Sequence, residues 1–418
     1  MTMENDLLNP PLPQAPHLAL PKLPTWLCRL WHKMLTPLFK HFEHGRIEIT
    51  LPSGGHLVYG AGSPDGPTAH VTVHQHATLW RILSRGPLGL AESYMDAQWS
   101  CDDLTTLFDI CLKNRAIFEA IRARGSVAHL FARLKHLSRA NSLKGSRRNI
   151  AYHYDLGNDF YDLWLDRTMT YSSALGVKAG EDLAISQWRK FDKALAMCNA
   201  KEGDHILEIG CGWGAFAERA TDAGCQVDGL TLSREQLAYS TVRAETKEFS
   251  DRARFHLRDY RHETGTYDAI VSIEMIEAVG EENWPVYFQC LRDRLKPGGQ
   301  AAIQAITIHD DQYERYRRSA DFIQTFIFPG GMLPTKSLMK DHAEQAGLEL
   351  VEQHIFGADY AKTLARWRQN FLAAWPKIAA LGYDERFRRM WLYYLSYCEA
   401  GFENGTIDVG LYSFRKPA

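Results

Sequence analysis

From about residue 186 short apolar runs alternate with helical stretches, and this order limits the fold more than any other feature of the chain. "HILEIG" is a strand that enters a Gly-rich turn, and "AFAERATDAG" follows as a helix. "CQVDGLTLS", "ARFHLRD", "YDAIVSI" and "GQAAIQAITI" read as further strands, with "REQLAYSTVRAETKEF" as a helix after the first of them. Strands separated by helices need crossover connections, which place them side by side in a parallel sheet covered on both faces. The expectation is a doubly wound α/β domain. "LELVEQHIF" and the terminal "DVGLYSFRK" suit a closing strand pair, with a helical insert, "TLARWRQNFLAAWPKIAAL" onward, between them.

Upstream the pattern is different. "RIEITLP", "HLVYG" and "AHVTVHQ" alternate with a two-residue period between Gly/Pro turns, as strands of a small sheet do. "TWLCRLWHKMLTPLFKHF" (25–42) looks helical with an interruption near Pro37, and "DDLTTLFDICLKN" reads as a helix capped by Asp102 or Asp103. Residues 113–148 carry ten Lys/Arg and one acid, Glu119. Val127, Leu130, Phe131 and Leu134 share one helical face in that stretch. It reads either as a solvated basic helix docked on its own domain or as a surface for anionic lipid headgroups. "NSLKGSRRN" suits a linker, and the Pro-rich, acidic start suits a disordered tail rather than a signal peptide.

Composition excludes some classes. The formal net charge of the 418 residues is -2, so no global electrostatic role follows, and no nucleic-acid partner is expected. The eight cysteines form no C-x-x-C pair, which argues against a zinc site or a disulfide framework and for a reducing compartment. No His/Asp/Glu cluster has clear metal-ligand spacing. There is no run of eighteen apolar residues to span a bilayer.

"EIGCGWG" (208–214) has the strand–turn–helix context in which glycines let backbone approach a bound group. Its spacing departs from G-x-G-x-x-G. It resembles the S-adenosylmethionine (SAM) loop of Rossmann-like methyltransferases, E/D-x-G-x-G-x-G; a nucleotide site and a structural turn are the other readings. The second strand ends in "GLTLSREQ" without a well-placed acid for a ribose, since Asp228 comes too early.

These features resemble the cyclopropane-fatty-acyl-phospholipid synthase family, a group of SAM-dependent methyltransferases. "YHYDLGNDFYDLWLDRTMTYSSA" (152–174), "FIFPGGMLP", "FGADYAKTLARW" and "GLAESYMDAQW" are similar to family stretches, and the resemblance spans roughly residues 45 to 415. It implies a Rossmann-like class I methyltransferase domain with helical inserts, preceded by a smaller α+β N-terminal domain. The expected division is a tail at 1–24, a lipid-engaging domain at 25–140, a linker at 141–150 and the catalytic domain at 151–418. The resemblance assigns SAM contacts to Tyr171, Ser172, Gly210, Gly212, Gly214, Thr231, Leu232, Gln236, Asp259 and Tyr260. Core packing is the other reading of the two tyrosines.

The substrate it implies is a cis double bond in a phospholipid acyl chain. An alkene is a weak nucleophile, and methyl transfer to it leaves a carbocation in a water-poor site. Fixed negative groups and a base are then needed. Glu277, in "SIEMIEAVG", matches the family's active-site glutamate, although it could also be a helix-start charge. Glu274 takes either a cofactor-facing network role or a capping role. In the family a bicarbonate ion is thought to be the base, cradled by a cysteine, a histidine, the glutamate, a tyrosine and a backbone amide. This chain keeps Glu277 and Tyr360 and has Ile306 at the amide position, but it has Ser173 and Gln304 in place of the cysteine and histidine. Both can donate hydrogen bonds, so an altered anion site is expected. His153 is either a site residue or a structural histidine.

A cyclopropane is the leading expected product, with a methyl- or methylene-branched chain as the alternative. A silent lipid-binding relative and a methyltransferase of soluble small molecules are rivals. The intact loop and Glu277 argue against the first; the basic stretch and Trp/Phe-rich helices argue against the second. The expected location is cytoplasmic and peripheral at the inner membrane surface. The oligomeric state stays open, a homodimer among the options.

Overall fold

A computed structural model describes residues 31, 33, 42–60, 66–115 and 156–418. The expected tail, most of the first helix, the linker, His153 and the basic stretch beyond residue 115 lie outside the described residues. The chain divides into two compact units, 1–133 with 375–404, and 134–374 with 405–418.

The first unit holds a four-stranded sheet of order β2-β1-β3-β4. The strands are β1 (Arg46–Thr50), β2 (His56–Tyr59), β3 (Thr68–Val73) and β4 (Trp99–Cys101). Alternation in β1 buries Ile47 and Ile49 while Arg46 stays exposed, as the two-residue period requires. The helix Ala77–Met95 kinks at Gly86–Pro87, where Gly86 adopts φ 57. In the helix Leu104–Lys113 Asp103 is the cap, accepting from Thr105 N at 2.9 Å and Thr106 N at 3.2 Å.

The helix Glu385–Glu403 belongs to this unit, which departs from a single catalytic domain at 151–418. The reason is complementarity of aromatic rings and of hydrogen-bonding groups. Tyr393 packs edge-on against Phe108 with ring centroids 4.9 Å apart. The Arg389 guanidinium sits 4.2 Å from the Tyr94 ring centroid and donates to the carbonyls of Tyr94 and Trp99. A buried guanidinium needs such acceptors, because burial without them is costly. No local sequence pattern pairs residues almost three hundred positions apart.

The second unit is built on a seven-stranded sheet of order β10-β11-β9-β8-β5-β6-β7. The strands are β5 (His205–Ile209), β6 (Gln226–Thr231), β7 (Ala253–Leu257), β8 (Tyr267–Ile273), β9 (Leu295–Ile308), β10 (Glu349–Ile355) and β11 (Ile407–Arg415). β7, β6, β5, β8 and β9 run parallel, while β11 lies antiparallel between β9 and β10. Ile206, Leu207, Ile270 and Val271 in the central strands are fully buried, as helices on both faces of a parallel sheet demand. The strand order reverses between β5 and β8. In such sheets that reversal opens a crevice at the carboxyl ends of the strands.

Candidate active site

The crevice is a cavity lined by the ends of β5, β6, β7 and β8 and by residues 169–172. Tyr171, Ser172, Gly210, Gly212, Thr231, Leu232, Gln236, Asp259 and Tyr260 all line it. Of the expected SAM contacts only Gly214 does not. The glycines of the loop do two different jobs. Gly212 has φ +50, and a Cβ there would meet nothing within 4 Å. Its backbone therefore borders open space that a bound group can enter. Gly214 has φ +82 and caps the helix Ala215–Asp222; a Cβ there would lie 3.1 Å from Ser240 Cβ and 3.2 Å from Phe255 Cζ. It lets helices and sheet pack closely.

After β6, Thr231 Oγ1 donates to Gln236 Oε1 at 2.8 Å and accepts from Ser233 N at 3.1 Å, which fixes the turn. After β7, Arg261 grips Asp259 through Nε at 2.9 Å and Nη2 at 2.7 Å, holding the carboxyl below its usual range against the effect of burial. The Tyr260 hydroxyl is buried without a hydrogen-bond partner among the described residues. An open glycine backbone, an unpaired buried hydroxyl and a mixed apolar and polar lining fit a molecule such as SAM. Arg258, Arg261, Met169, Trp213 and Met275 also line the cavity and were not anticipated.

The acidic end of β8 holds the most connected group. Glu274 Oε1 accepts from Ser172 Oγ at 2.8 Å, Ser173 N at 3.1 Å and Gln304 Nε2 at 2.6 Å, and Oε2 accepts from Tyr360 OH at 2.7 Å. Lys190, fully buried in the helix Leu183–Met197, donates from Nζ to Ser172 Oγ at 3.0 Å. Lys190 was also missed: a lysine in an amphipathic helix reads as a surface residue. The residues expected to cradle an anion have these partners. Ser173 offers its backbone N–H to Glu274 while its hydroxyl donates to Ala174 O. Ile306 N donates to Glu277 Oε1 at 2.6 Å. The Ser173 and Ile306 amides, Gln304 and Tyr360 thus donate to Glu274 or Glu277.

The two glutamates differ in support. Burial raises the Glu274 carboxyl, opposed first by Lys190 and then by the hydrogen bonds from Tyr360, Ser172 and Ser173. Burial, followed by the charge of Glu274, pushes Glu277 up to about 8, and the Ile306 amide only partly opposes this. Glu277 Oε2 is buried with no partner among the described residues. Burial pushes Lys190 down to about 7, against the attraction of Glu274, Asp166 and Glu208. Glu274 itself sits at φ +50, in the left-handed region. For a non-glycine residue this costs about 1–2 kcal/mol.

Among the described residues no three His, Cys, Asp or Glu side chains are grouped to hold a metal, and no helix is long and apolar enough to cross a membrane.

The family model described as mycolic acid cyclopropane synthetase matches residues 141–411. A tuberculostearic acid methyltransferase of Mycobacterium tuberculosis is 39% identical over 370 residues, covering 84% of this chain and 83% of that protein. The cyclopropane-fatty-acyl-phospholipid synthase of Escherichia coli is 36% identical over 371 residues, covering 87% and 91%. Among solved structures, a cyclopropane synthase of M. tuberculosis aligns with TM-score 0.60 at 30% identity, covering 65% of this chain and 98% of that one. A mycolic acid cyclopropane synthase in complex with SAH and CTAB aligns with TM-score 0.60 at 31% identity, with the same coverage of 65% and 98%. The sheet is that of the Rossmann-like class I methyltransferases.

Proposed function

Given that the chain belongs to the mycolic acid cyclopropane synthetase family and is a SAM-dependent methyltransferase of lipid acyl chains, we propose that it acts on the cis double bond of an unsaturated phospholipid acyl chain and forms a cyclopropane ring. One observation carries this reading. Glu274 lines the cavity beside Ile273, Met275 and Val279, with Glu277 one turn further on and outside the lining. An apolar wall suits a hydrocarbon, and a fixed carboxylate suits positive charge that appears during the reaction and is absent before it.

SAM, when bound, supplies an electrophilic methyl group. Gly210, Gly212, Thr231, Gln236, Asp259 and Tyr260 would hold it. Glu274 answers the charge that develops on the acyl chain, with Glu277 as its neighbour in the site, and Tyr360, Ser173 and Gln304 fix Glu274. Ring closure and a methylene branch both conserve the electrons of the double bond. A saturated methyl branch would need a reductant in addition, so the ring is the simpler product. Membrane contact at the inner surface would bring the phospholipid to the cavity, through the basic stretch between Lys113 and Arg148.

The test is incubation with SAM and vesicles of oleoyl phosphatidylglycerol and phosphatidylethanolamine. Acyl chains should gain one CH2 by mass spectrometry and show cyclopropyl protons by NMR. A methylene branch has the same mass but gives vinylidene protons. Unmodified acyl chains, together with methylation of a water-soluble acceptor, would remove the proposal.

A further inference from the structure

Several donors converge on one carboxylate in this site, and few on its neighbour. Among the described residues Glu274 is held by three side chains, Ser172, Gln304 and Tyr360, and by Ser173 N, whereas Glu277 is held by backbone alone, the Ile306 amide and its own. Hydrogen bonds to the charged form keep a carboxylate ionised, and burial without them keeps it neutral. When the environments of two adjacent acids differ in this way, their roles separate. The backbone points the same way. Glu274 occupies a left-handed conformation at φ +50, while its own N–H donates to Gln304 O at 2.9 Å. A strained non-glycine residue persists where its surroundings over-determine it, and such sites cluster where function needs them.

We propose that Glu274 is the proton acceptor of this enzyme, a carboxylate of the chain itself in place of a separately bound anion. This rests on the acyl-chain reading above. The step balances as follows. The π pair of the alkene forms a bond to the methyl carbon, and the sulfur–methyl bond breaks with its pair left on sulfur. The neighbouring chain carbon becomes cationic. A C–H bond of the added methyl then breaks, its electron pair closes the ring, and the proton passes to Glu274 Oε2. Among the described residues that oxygen has one donor, Tyr360, and so keeps a lone pair for the proton. Oε1, with its several donors, stays anchored.

Lys190 acts as a positioning residue through Ser172, which accepts from Lys190 Nζ and donates to Glu274. The charged and titratable groups around Glu274 are Lys190 from the helix Leu183–Met197, Tyr360 from the helix Gly357–Ala380, and Glu277 in the following turn. Asp166 and Glu208 stand near Lys190.

The decisive variant is Glu274→Gly. Glycine tolerates positive φ, so the fold should survive, and circular dichroism checks this. In bicarbonate-free buffer the wild type should turn over at its full rate, while Glu274→Gly should fall by about 10²-fold or more. Adding bicarbonate or formate should restore Glu274→Gly at least about tenfold, because the vacated donors can then hold the added anion. Carbon-13 bicarbonate should broaden on adding Glu274→Gly and stay sharp with the wild type. Glu274→Gln should lose more turnover than Glu277→Gln. The proposal is overturned if the wild type slows without bicarbonate and recovers with it, if both proteins bind carbon-13 bicarbonate equally, or if Glu274→Gly keeps its full rate without added anion. If the wild type modifies no acyl chain, the substrate reading fails instead, and the bicarbonate-binding comparison still decides the role of Glu274.

Discussion

Tyr360, in the first turn of the helix Gly357–Ala380, donates its hydroxyl to Glu274 Oε2 at 2.7 Å across a separation of 86 residues. A carboxylate at the end of β8 is thus held from a helix that follows β10. Hydrogen bonds to charged groups contribute about 1.5–3 kcal/mol. Tyr360→Phe should lose stability in that range by urea denaturation. It should also move the acid limb of the kcat–pH profile upward, because the ionised form of Glu274 loses a donor. An acid limb at the wild-type position would show that Tyr360 does not tune Glu274.

The loop glycines should separate by readout. Gly212→Val places a branched side chain in open cavity space, so SAM affinity measured by calorimetry should collapse. Its stability loss should stay near the roughly 1–2 kcal/mol of the backbone conformation. Gly214→Val meets Ser240 and Phe255 as well, so overpacking should add about 1–3 kcal/mol to the same strain. Equal stability of the two variants would contradict this division of labour.

Glu277 predicts a pH effect with a defined sign. Its carboxyl rises from 4.5 to about 8 on folding, so between those values the folded chain holds a proton that the unfolded chain has released. Stability must therefore fall as pH climbs through that window. Glu277→Gln cannot titrate there. The wild type should lose about 2–4 kcal/mol relative to Glu277→Gln between pH 4.5 and 8, allowing for partial relaxation, with no difference in slope below pH 4.5. Chemical denaturation across the pH range measures this, and parallel curves throughout would mean that Glu277 ionises freely.

Lys190 predicts convergence. Burial brings its ammonium down to about 7, so its positive charge favours ionised Glu274 mainly below that pH. Lys190→Met should raise the acid limb of kcat there, and its profile should approach that of the wild type above about pH 8, where the lysine is neutral in any case. A constant ratio of rates at every pH would make the lysine a packing residue alone.

Vesicle binding should depend on salt. Ten Lys/Arg against one acid lie between Lys113 and Arg148, and at 1 M salt the Debye length shortens to about 3 Å. Sedimentation with anionic vesicles should decrease steadily as salt rises. Binding that is equal for neutral and anionic vesicles at all salts would exclude an electrostatic surface.

What the sequence determined by itself were the features written in local order. The period-two and helical alternation placed the strands and helices, "EIGCGWG" located a glycine wall of the crevice, and the acidic run after "YDAIVSI" marked Glu274 and Glu277. Each of these depends on residues a few positions apart, whose relation the backbone geometry of strand, turn and helix already constrains. Tertiary structure decided which acid is held and by what. Ser172, Lys190, Gln304 and Tyr360 come from four separate parts of the chain and meet at Glu274 only because the sheet order sets β8 beside β9 and brings flanking helices over their ends. It also showed the Gly214 backbone serving helix packing and placed the helix Glu385–Glu403 in the first unit. Hydrogen bonding and desolvation act over a few ångströms of space, and sequence distance carries no measure of that.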